Sequence, residues 1–141
     1  MNLFRKCAAE FIGAFAIVLG GCGAVAINQL SDGAISHFGI ATTFGLIVMT
    51  MVYATGHISG AHFNPAVTIA FALTRHFPRR EIAPYIGAQC LGAVVASYIH
   101  LMSLAPILKG KNSLQSLNLG LTQPMDGIFS TALVWEFLLT F

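Results

Sequence analysis

A group of polar residues lies in the middle of an otherwise apolar sequence, in the stretch HISGAHFNPAVTIA at positions 57–70. The pair Asn64-Pro65 has the most definite local chemistry, because Asn is favoured as a helix N-cap and Pro at the first helical position. An N-cap Asn accepts backbone N–H groups with its carboxamide oxygen, while its NH₂ group keeps two donors. The stretch therefore predicts a helix start that presents a fixed hydrogen-bond donor.

Metal binding and catalysis explain these polar residues poorly. His57 and His62 lie five positions apart in a glycine-containing segment, which is neither the helical i,i+4 pair nor another common ligand spacing. Cys7, Cys22 and Cys90 lack the paired spacing of zinc sites, and we interpret them as buried small hydrophobes. The sequence offers no nucleophile–base pair and no phosphate loop. We therefore expect no enzyme, no metal site and no cofactor.

The amino-acid composition indicates what surrounds these residues. Of the 141 residues, 56% are hydrophobic and only 9% are charged, whereas a soluble domain is about 25% charged. The net charge of +2 comes without a block of Lys and Arg, which argues against nucleic acid as a partner. The chain is predicted to be an all-α membrane protein whose surroundings are a lipid bilayer.

Three apolar segments are long enough to cross a membrane, which needs about 20 residues of helix. They are Ala8–Ile27, Phe38–Ala54 and Ile82–Leu108. A fourth begins at Gly127 and reaches the last residue, Phe141, which is too short to cross comfortably.

The polar stretch itself is predicted to fold back inside the membrane. Ala54–Phe63 is poor in helix signals, and Pro65–Arg75 predicts a helix of about 16 Å, half a membrane. Irregular backbone at that depth is tolerated only when it lines a watery cavity or is buried in protein. The prediction is a re-entrant loop facing a polar path; the alternative is a cytoplasmic loop with a short surface helix.

Basic residues predict the orientation. Five Lys and Arg lie on one predicted side and two on the other, namely Arg5, Lys6, Arg75, Arg79 and Arg80 against Lys109 and Lys111. This positive-inside bias places the N-terminus in the cytoplasm. A cleaved signal peptide is the rival interpretation of the N-terminus, but Glu10 interrupts its apolar run and further spans follow.

Taken together, these motifs resemble the aquaporin (major intrinsic protein) family, most closely its bacterial water channels. The stretch at 57–70 is similar to the family's first Asn-Pro-Ala loop. The family's first, second and third helices are similar to the segments AAEFIGAFAIVLGGCG, TFGLIVMTM and IGAQCLGAVVA of this chain. The resemblance covers nearly all of the chain. It implies the first repeat of an inverted-repeat fold, with three transmembrane helices and one re-entrant half-helix, in a passive water channel that excludes protons and ions.

The resemblance also assigns roles to individual residues. Asn64, Pro65 and Ala66 are expected to be the first of two Asn-Pro-Ala boxes that meet at mid-membrane. Phe44 occupies the place where water-selective members keep a phenylalanine in the narrow outer filter, which favours water over glycerol. The backbone carbonyls expected to line the path belong to Gly60, Ala61, His62 and Phe63. The residues expected to brace the loop are Glu10, His57, Gln89 and Glu136.

A second repeat is expected to start near the end of the sequence. Ala9-Glu10-Phe11 is echoed by Trp135-Glu136-Phe137, 126 positions later. This offset predicts a first repeat at about 1–126, the start of a second at about 127–141, and a second Asn-Pro-Ala box near position 190. We therefore expect the N-terminal part of a channel, unable to conduct water alone.

For the full-length protein, the resemblance implies a homotetramer in the cell (inner) membrane. The alternative functions are a facilitator for glycerol or another small neutral solute, and a non-conducting half-repeat that associates with complete channels.

Overall fold

The computed structural model describes residues 2–108 and 129–140, and all regular structure in these ranges is helical. The α-helices there are α1 (Leu3–Ile17), α2 (Gly23–Leu30), α3 (Ser36–Ser59), α4 (Pro65–Leu73), α5 (Ile82–Leu108) and α6 (Phe129–Thr140). A π-helical turn, Val18–Cys22, joins α1 to α2, and a 3₁₀ turn, Arg79–Glu81, precedes α5.

By length and composition, three helical segments of the described chain can cross a membrane: Leu3–Leu30, Ser36–Ser59 and Arg79–Leu104. They correspond to the first three predicted spans, so the prediction of an all-helical membrane fold is confirmed. In the fourth predicted span the structure has α6. The ends of that span, Gly127 and Phe141, lie outside the described residues, as do Lys109 and Lys111.

The membrane-crossing helices pack around α1, which lies against both α3 and α5, while the short α4 packs on α5. The crossing of α1 and α5 is close because Gly92 has no side chain. A Cβ atom there would collide with the backbone carbonyl oxygen of Phe11. The two helices also carry small buried residues, among them Ala9, Ala14 and Ala96, as expected where membrane helices approach closely.

The irregular segment is shorter than the sequence indicates. We predicted non-helical backbone from Ala54, but α3 continues to Ser59. Gly60 then ends the helix in the left-handed conformation, at φ +90°, with its N–H bonded to the carbonyl of Gly56. A single glycine inside a helix costs only about 1 kcal/mol, so Gly56 does not stop it. The fold-back is thus confined to residues 60–64.

The half-helix begins as the Asn-Pro pair predicts and ends two residues early. Asn64 is the N-cap and Pro65 the first helical residue. The helix stops at Leu73 instead of Arg75, because Arg75 adopts a left-handed conformation at φ +63°. Its length is about 13 Å at 1.5 Å per residue, still less than half of a membrane's hydrocarbon core.

Candidate functional site

The backbone between α3 and α4 adopts conformations that need outside support. Gly60, Ala61 and Phe63 all have positive φ, at +90°, +53° and +52°. For residues other than glycine this region is sparsely populated and costs of order 1–3 kcal/mol each. The loop therefore keeps its shape only if surrounding groups hold it.

A buried acid provides that support. Glu10 on α1 is fully buried, and its Oε1 accepts a hydrogen bond from the N–H of His62 at 3.0 Å. Its Oε2 accepts from the N–H of Phe63 at 2.6 Å and from Nε2 of Gln89 on α5 at 2.8 Å. One carboxyl group thus ties two consecutive loop amides to the α1–α5 crossing.

These two bonds determine where two loop carbonyls point. In a trans peptide the N–H and the preceding C=O point in opposite directions, and the described chain has no cis peptide. Since the amides of His62 and Phe63 point at Glu10, the carbonyls of Ala61 and His62 point away from it. The loop therefore has an amide face toward the helices and a carbonyl face away from them.

At the start of the loop, a hydrogen-bonded N–H again fixes the direction of the preceding carbonyl. Ser59 Oγ accepts a hydrogen bond from the N–H of Ala61 at 3.1 Å, which turns the carbonyl of Gly60 away from Ser59. Tyr85 on α5 donates from its hydroxyl to the carbonyl of Ser59 at 2.8 Å. Within the described residues no hydrogen bond uses a carbonyl oxygen of the segment 60–63. The loop thus offers four consecutive unpaired acceptors.

The end of the loop offers a donor. Asn64 Oδ1 accepts a hydrogen bond from the N–H of Ala66 at 2.8 Å. Asn64 is exposed, and its Nδ2 makes no hydrogen bond to any other described residue. Pro65 and Ala66 form the first turn of α4, and a helix N-terminus carries about half a positive charge. Along the chain, the unpaired carbonyls of residues 60–63 are therefore followed by a free donor at a positive helix end.

Thr68 is a residue of the site that the sequence did not reveal. It is fully buried one turn after the N-cap. Its hydroxyl lies 3.2 Å from the carbonyl oxygen of Asn64, 2.9 Å from Nε2 of Gln89 and 3.1 Å from Nδ1 of His62. A threonine four positions after a predicted N-cap is the only signal the sequence carries for it, since that spacing brings the hydroxyl near the N-cap carbonyl.

Phe44 lies away from this network, on α3 beside the π-helical turn. It is half-buried, and its ring covers Gly21, where a Cβ atom would collide with it. Nearby, His100 on α5 places Nε2 2.8 Å from the carbonyl oxygen of Leu19. A carbonyl can only accept, so Nε2 is the donor.

Two of the residues expected to brace the loop are not brought to it. His57 lies on the exposed side of α3 and makes no hydrogen bond to another described residue. Glu136 is exposed on α6, and no hydrogen bond within the described ranges joins it to the loop. Of the four residues expected to brace the loop, only Glu10 and Gln89 contact the loop network.

The sequence profile of one family, described as Major intrinsic protein, matches residues 1–141. The chain belongs to this family. Aquaporins are channels and not enzymes, so membership confirms the expectation that the chain is not an enzyme.

Similar proteins within the family include aquaporins of plants. The chain is 56% identical to the putative aquaporin NIP4-1 of Arabidopsis thaliana over 95 residues, which are 67% of this chain and 34% of that protein. It is 40% identical to aquaporin NIP6-1 of the same plant over 141 residues, the whole chain and 43% of the relative. Aquaporin NIP3-1 of Oryza sativa subsp. japonica is 42% identical over 143 residues, again the whole chain and 43% of the relative.

These relatives bear on two expectations from the sequence, the likeness to bacterial water channels and the location in an inner membrane. A particular likeness to bacterial water channels is not supported, because the relatives found are plant NIP aquaporins. The inner-membrane location expected from that likeness loses its basis. The chain also spans less than half the length of these curated relatives.

Proposed function

We propose that the chain forms the first half of a transmembrane channel for water. The observation that carries the proposal is the loop at 60–64, where four unpaired carbonyl oxygens lead to the free NH₂ group of Asn64. Such a row suits a small neutral molecule that both donates and accepts hydrogen bonds. Water entering the row would donate to the carbonyls and accept from Asn64.

Exclusion of cations is part of the proposal. The N-terminus of α4 carries about half a positive charge, and positive helix ends are barriers to protons and cations in water pores. In the proposed channel, Asn64, Pro65 and Ala66 form the first of two such ends. The first repeat would comprise about residues 1–126, and residues 127–141 would begin the second.

Water is favoured over larger neutral solutes by Phe44. We propose this ring as one wall of the narrow outer filter, held in place against Gly21. A bulky aromatic wall narrows a pore to the size of water, whereas glycerol needs more width. Permeation of glycerol at a rate comparable to that of water would favour a solute facilitator instead.

Orientation and assembly are further parts of the proposal. The excess of Lys and Arg at the start of α1 and after α4 supports a cytoplasmic N-terminus, which protease protection of an N-terminal tag in sealed vesicles would test. We also propose a homotetramer, by analogy with the family, and light scattering on the purified full-length protein would give the number of subunits.

The decisive experiment uses protein made from the complete reading frame and reconstituted into liposomes. Stopped-flow light scattering after an osmotic step measures water permeability, and the same vesicles in glycerol measure solute entry. We expect fast water flux, lowered at least several-fold by Phe44→Trp, which narrows the filter. Asn64→Asp exchanges the free donor for an acceptor at the positive helix end, and we expect it to lower the flux as well.

The matched control is Val94→Ala, which shortens a side chain on the exposed face of α5 and is expected to leave both rates unchanged. Water flux that equals that of empty liposomes would overturn the proposal and favour a non-conducting partner of complete channels. Flux that is insensitive to both Phe44→Trp and Asn64→Asp would show that water takes another path.

A further inference from the structure

The hydroxyl group of the buried Thr68 has three polar neighbours. Its Oγ1 lies within hydrogen-bond distance of Gln89 Nε2 at 2.9 Å, His62 Nδ1 at 3.1 Å and the Asn64 carbonyl oxygen at 3.2 Å. A hydroxyl has one proton and two lone pairs. Three hydrogen bonds would therefore use its entire capacity, so the direction of each bond constrains the others.

The bond with Gln89 has a definite direction. Gln89 Nε2 also lies 2.8 Å from Glu10 Oε2, an oxygen that already accepts from the N–H of Phe63. If the amide were turned over, its oxygen would face this carboxyl oxygen. The nitrogen therefore donates one proton to Glu10 and has its second directed at Thr68, whose oxygen accepts it.

The remaining proton and lone pair of Thr68 are divided between Asn64 and His62. The Asn64 carbonyl can only accept, so it takes the hydroxyl proton, and Nδ1 of His62 must then be the donor. In the opposite arrangement the hydroxyl would donate to Nδ1. Thr68 Oγ1 and the Asn64 carbonyl oxygen would then lie 3.2 Å apart with no proton between them. Only the first arrangement makes all three contacts hydrogen bonds.

We infer that Thr68 is a positioning residue that holds His62 as the Nδ1-protonated tautomer, so that Nε2 serves as an acceptor for water at the start of the loop. The ring cannot easily turn over, because it stacks on Phe71 with centroids 4.9 Å apart and meets the edge of Phe77 at 4.8 Å. Nε2 lies beside Gly60, where a Cβ atom would be 3.5 Å away.

Nε2 is also available to a ligand. It makes no hydrogen bond to any other described residue. It is not sealed in the interior either, because the one buried side-chain nitrogen or oxygen of the described residues without a partner is Gln89 Oε1. The ring nitrogen thus adds a fifth acceptor next to the carbonyls of the segment 60–63. That water is the ligand rests on the proposed function, whereas the tautomer does not.

The test is nitrogen NMR of the chain with ¹⁵N-labelled imidazole rings, in lipid bicelles at about pH 8, above the ordinary histidine pKa of about 6.5. His62→Asn identifies the two ring signals by their loss. We expect a protonated Nδ1 and an unprotonated Nε2 whose shift is moved from the free-imine position by a hydrogen bond from water. Thr68→Val, which keeps the shape and removes the hydroxyl, is expected to move protonation toward Nε2. Thr68→Ser is expected to restore the original pattern.

The matched control is Thr74→Val, since the hydroxyl of Thr74 bonds only within its own helix and should leave the His62 signals in place. A protonated Nε2 in the unmodified chain overturns the inference even if Thr68→Val does not fold. An unprotonated Nε2 at the free-imine position overturns water as the ligand. A protein that proves unable to conduct would refute the proposed function and leave these ring signals as they are.

Discussion

The two parts of the proposed path are held in different ways. The loop at 60–64 is held by buried polar side chains from three helices, Glu10, Thr68 and Gln89, each at most 1% exposed. Phe44 is held by van der Waals contact with Gly21, and the nearby π-helical turn by one bond from His100 to the carbonyl of Leu19. A strained backbone needs directed bonds, whereas a ring needs only a surface of the right shape.

The comparison of the loop with Phe44 shows under what condition polar groups can be buried in an apolar chain. Burying a polar group without a partner in lipid costs several kcal/mol, and among the buried side-chain nitrogen and oxygen atoms of the described residues only Gln89 Oε1 lacks a partner. At the loop the hydrogen-bonded set includes two backbone amides, and removing one side chain takes a hydrogen bond from each of its direct partners. At Phe44 no such coupling exists, so changes there should be smaller and more local.

The largest effect is expected for Glu10→Leu. It leaves the amides of His62 and Phe63 without an acceptor, at about 1–3 kcal/mol for each buried group. It also removes one of the two acceptors of Gln89 Nε2, which keeps Thr68. We expect a loss of about 3 kcal/mol or more in the free energy of unfolding, measured by denaturant titration of the chain in detergent micelles.

Glu10→Gln is the control for shape, because its amide keeps one acceptor oxygen. We expect it to lose distinctly less stability than Glu10→Leu. Equal stability of Glu10→Leu and the unmodified chain would mean that the loop is held from elsewhere, and the contrast between the two regions would disappear.

The same contrast explains how much could be predicted from the sequence. Glu10 and Gln89 stand out because each is polar within an apolar span, and the Asn-Pro pair marks the start of α4. Thr68 does not stand out, since Thr42 and Thr55 also bond to the carbonyl four residues earlier.

What distinguishes Thr68 is the approach of α5, and a partner 21 positions away cannot be deduced from local spacing. The continuation of α3 to Ser59 was missed for a related reason. Gly56 weakens a helix without ending it, and the left-handed residue that does end it is Gly60. The role proposed for Phe44 came only from the resemblance, because a phenylalanine on a membrane helix has no local signal that separates packing from function.

An intermediate effect is expected for Gly21→Ala, which places a methyl group where the Phe44 ring lies. Overpacking of this kind costs about 1–3 kcal/mol, and the ring must move. The measurement is the free energy of unfolding, compared with Gly45→Ala on the same helix as Phe44, where a methyl group meets open space. The control should be neutral or stabilising by up to about 1 kcal/mol.

A double variant sharpens this test. If the cost of Gly21→Ala arises from the ring, it should largely vanish in a Phe44→Ala background, where the methyl group has room. A cost that persists would assign it to the π-helical turn itself, and Phe44 would then not be positioned by Gly21.

The smallest effect is expected for His100→Phe, which keeps a ring of similar size and removes the donor to the carbonyl of Leu19. Loss of one such bond costs about 1 kcal/mol, so global stability should change little. Amide hydrogen exchange should instead rise locally, in the turn Val18–Cys22, whereas His37→Phe on the exposed start of α3 should leave that turn unchanged. Unchanged exchange in His100→Phe would mean that Phe44 and the turn are held by packing alone. The two regions would then differ even more than the structure indicates, because one would depend on directed bonds and the other on none.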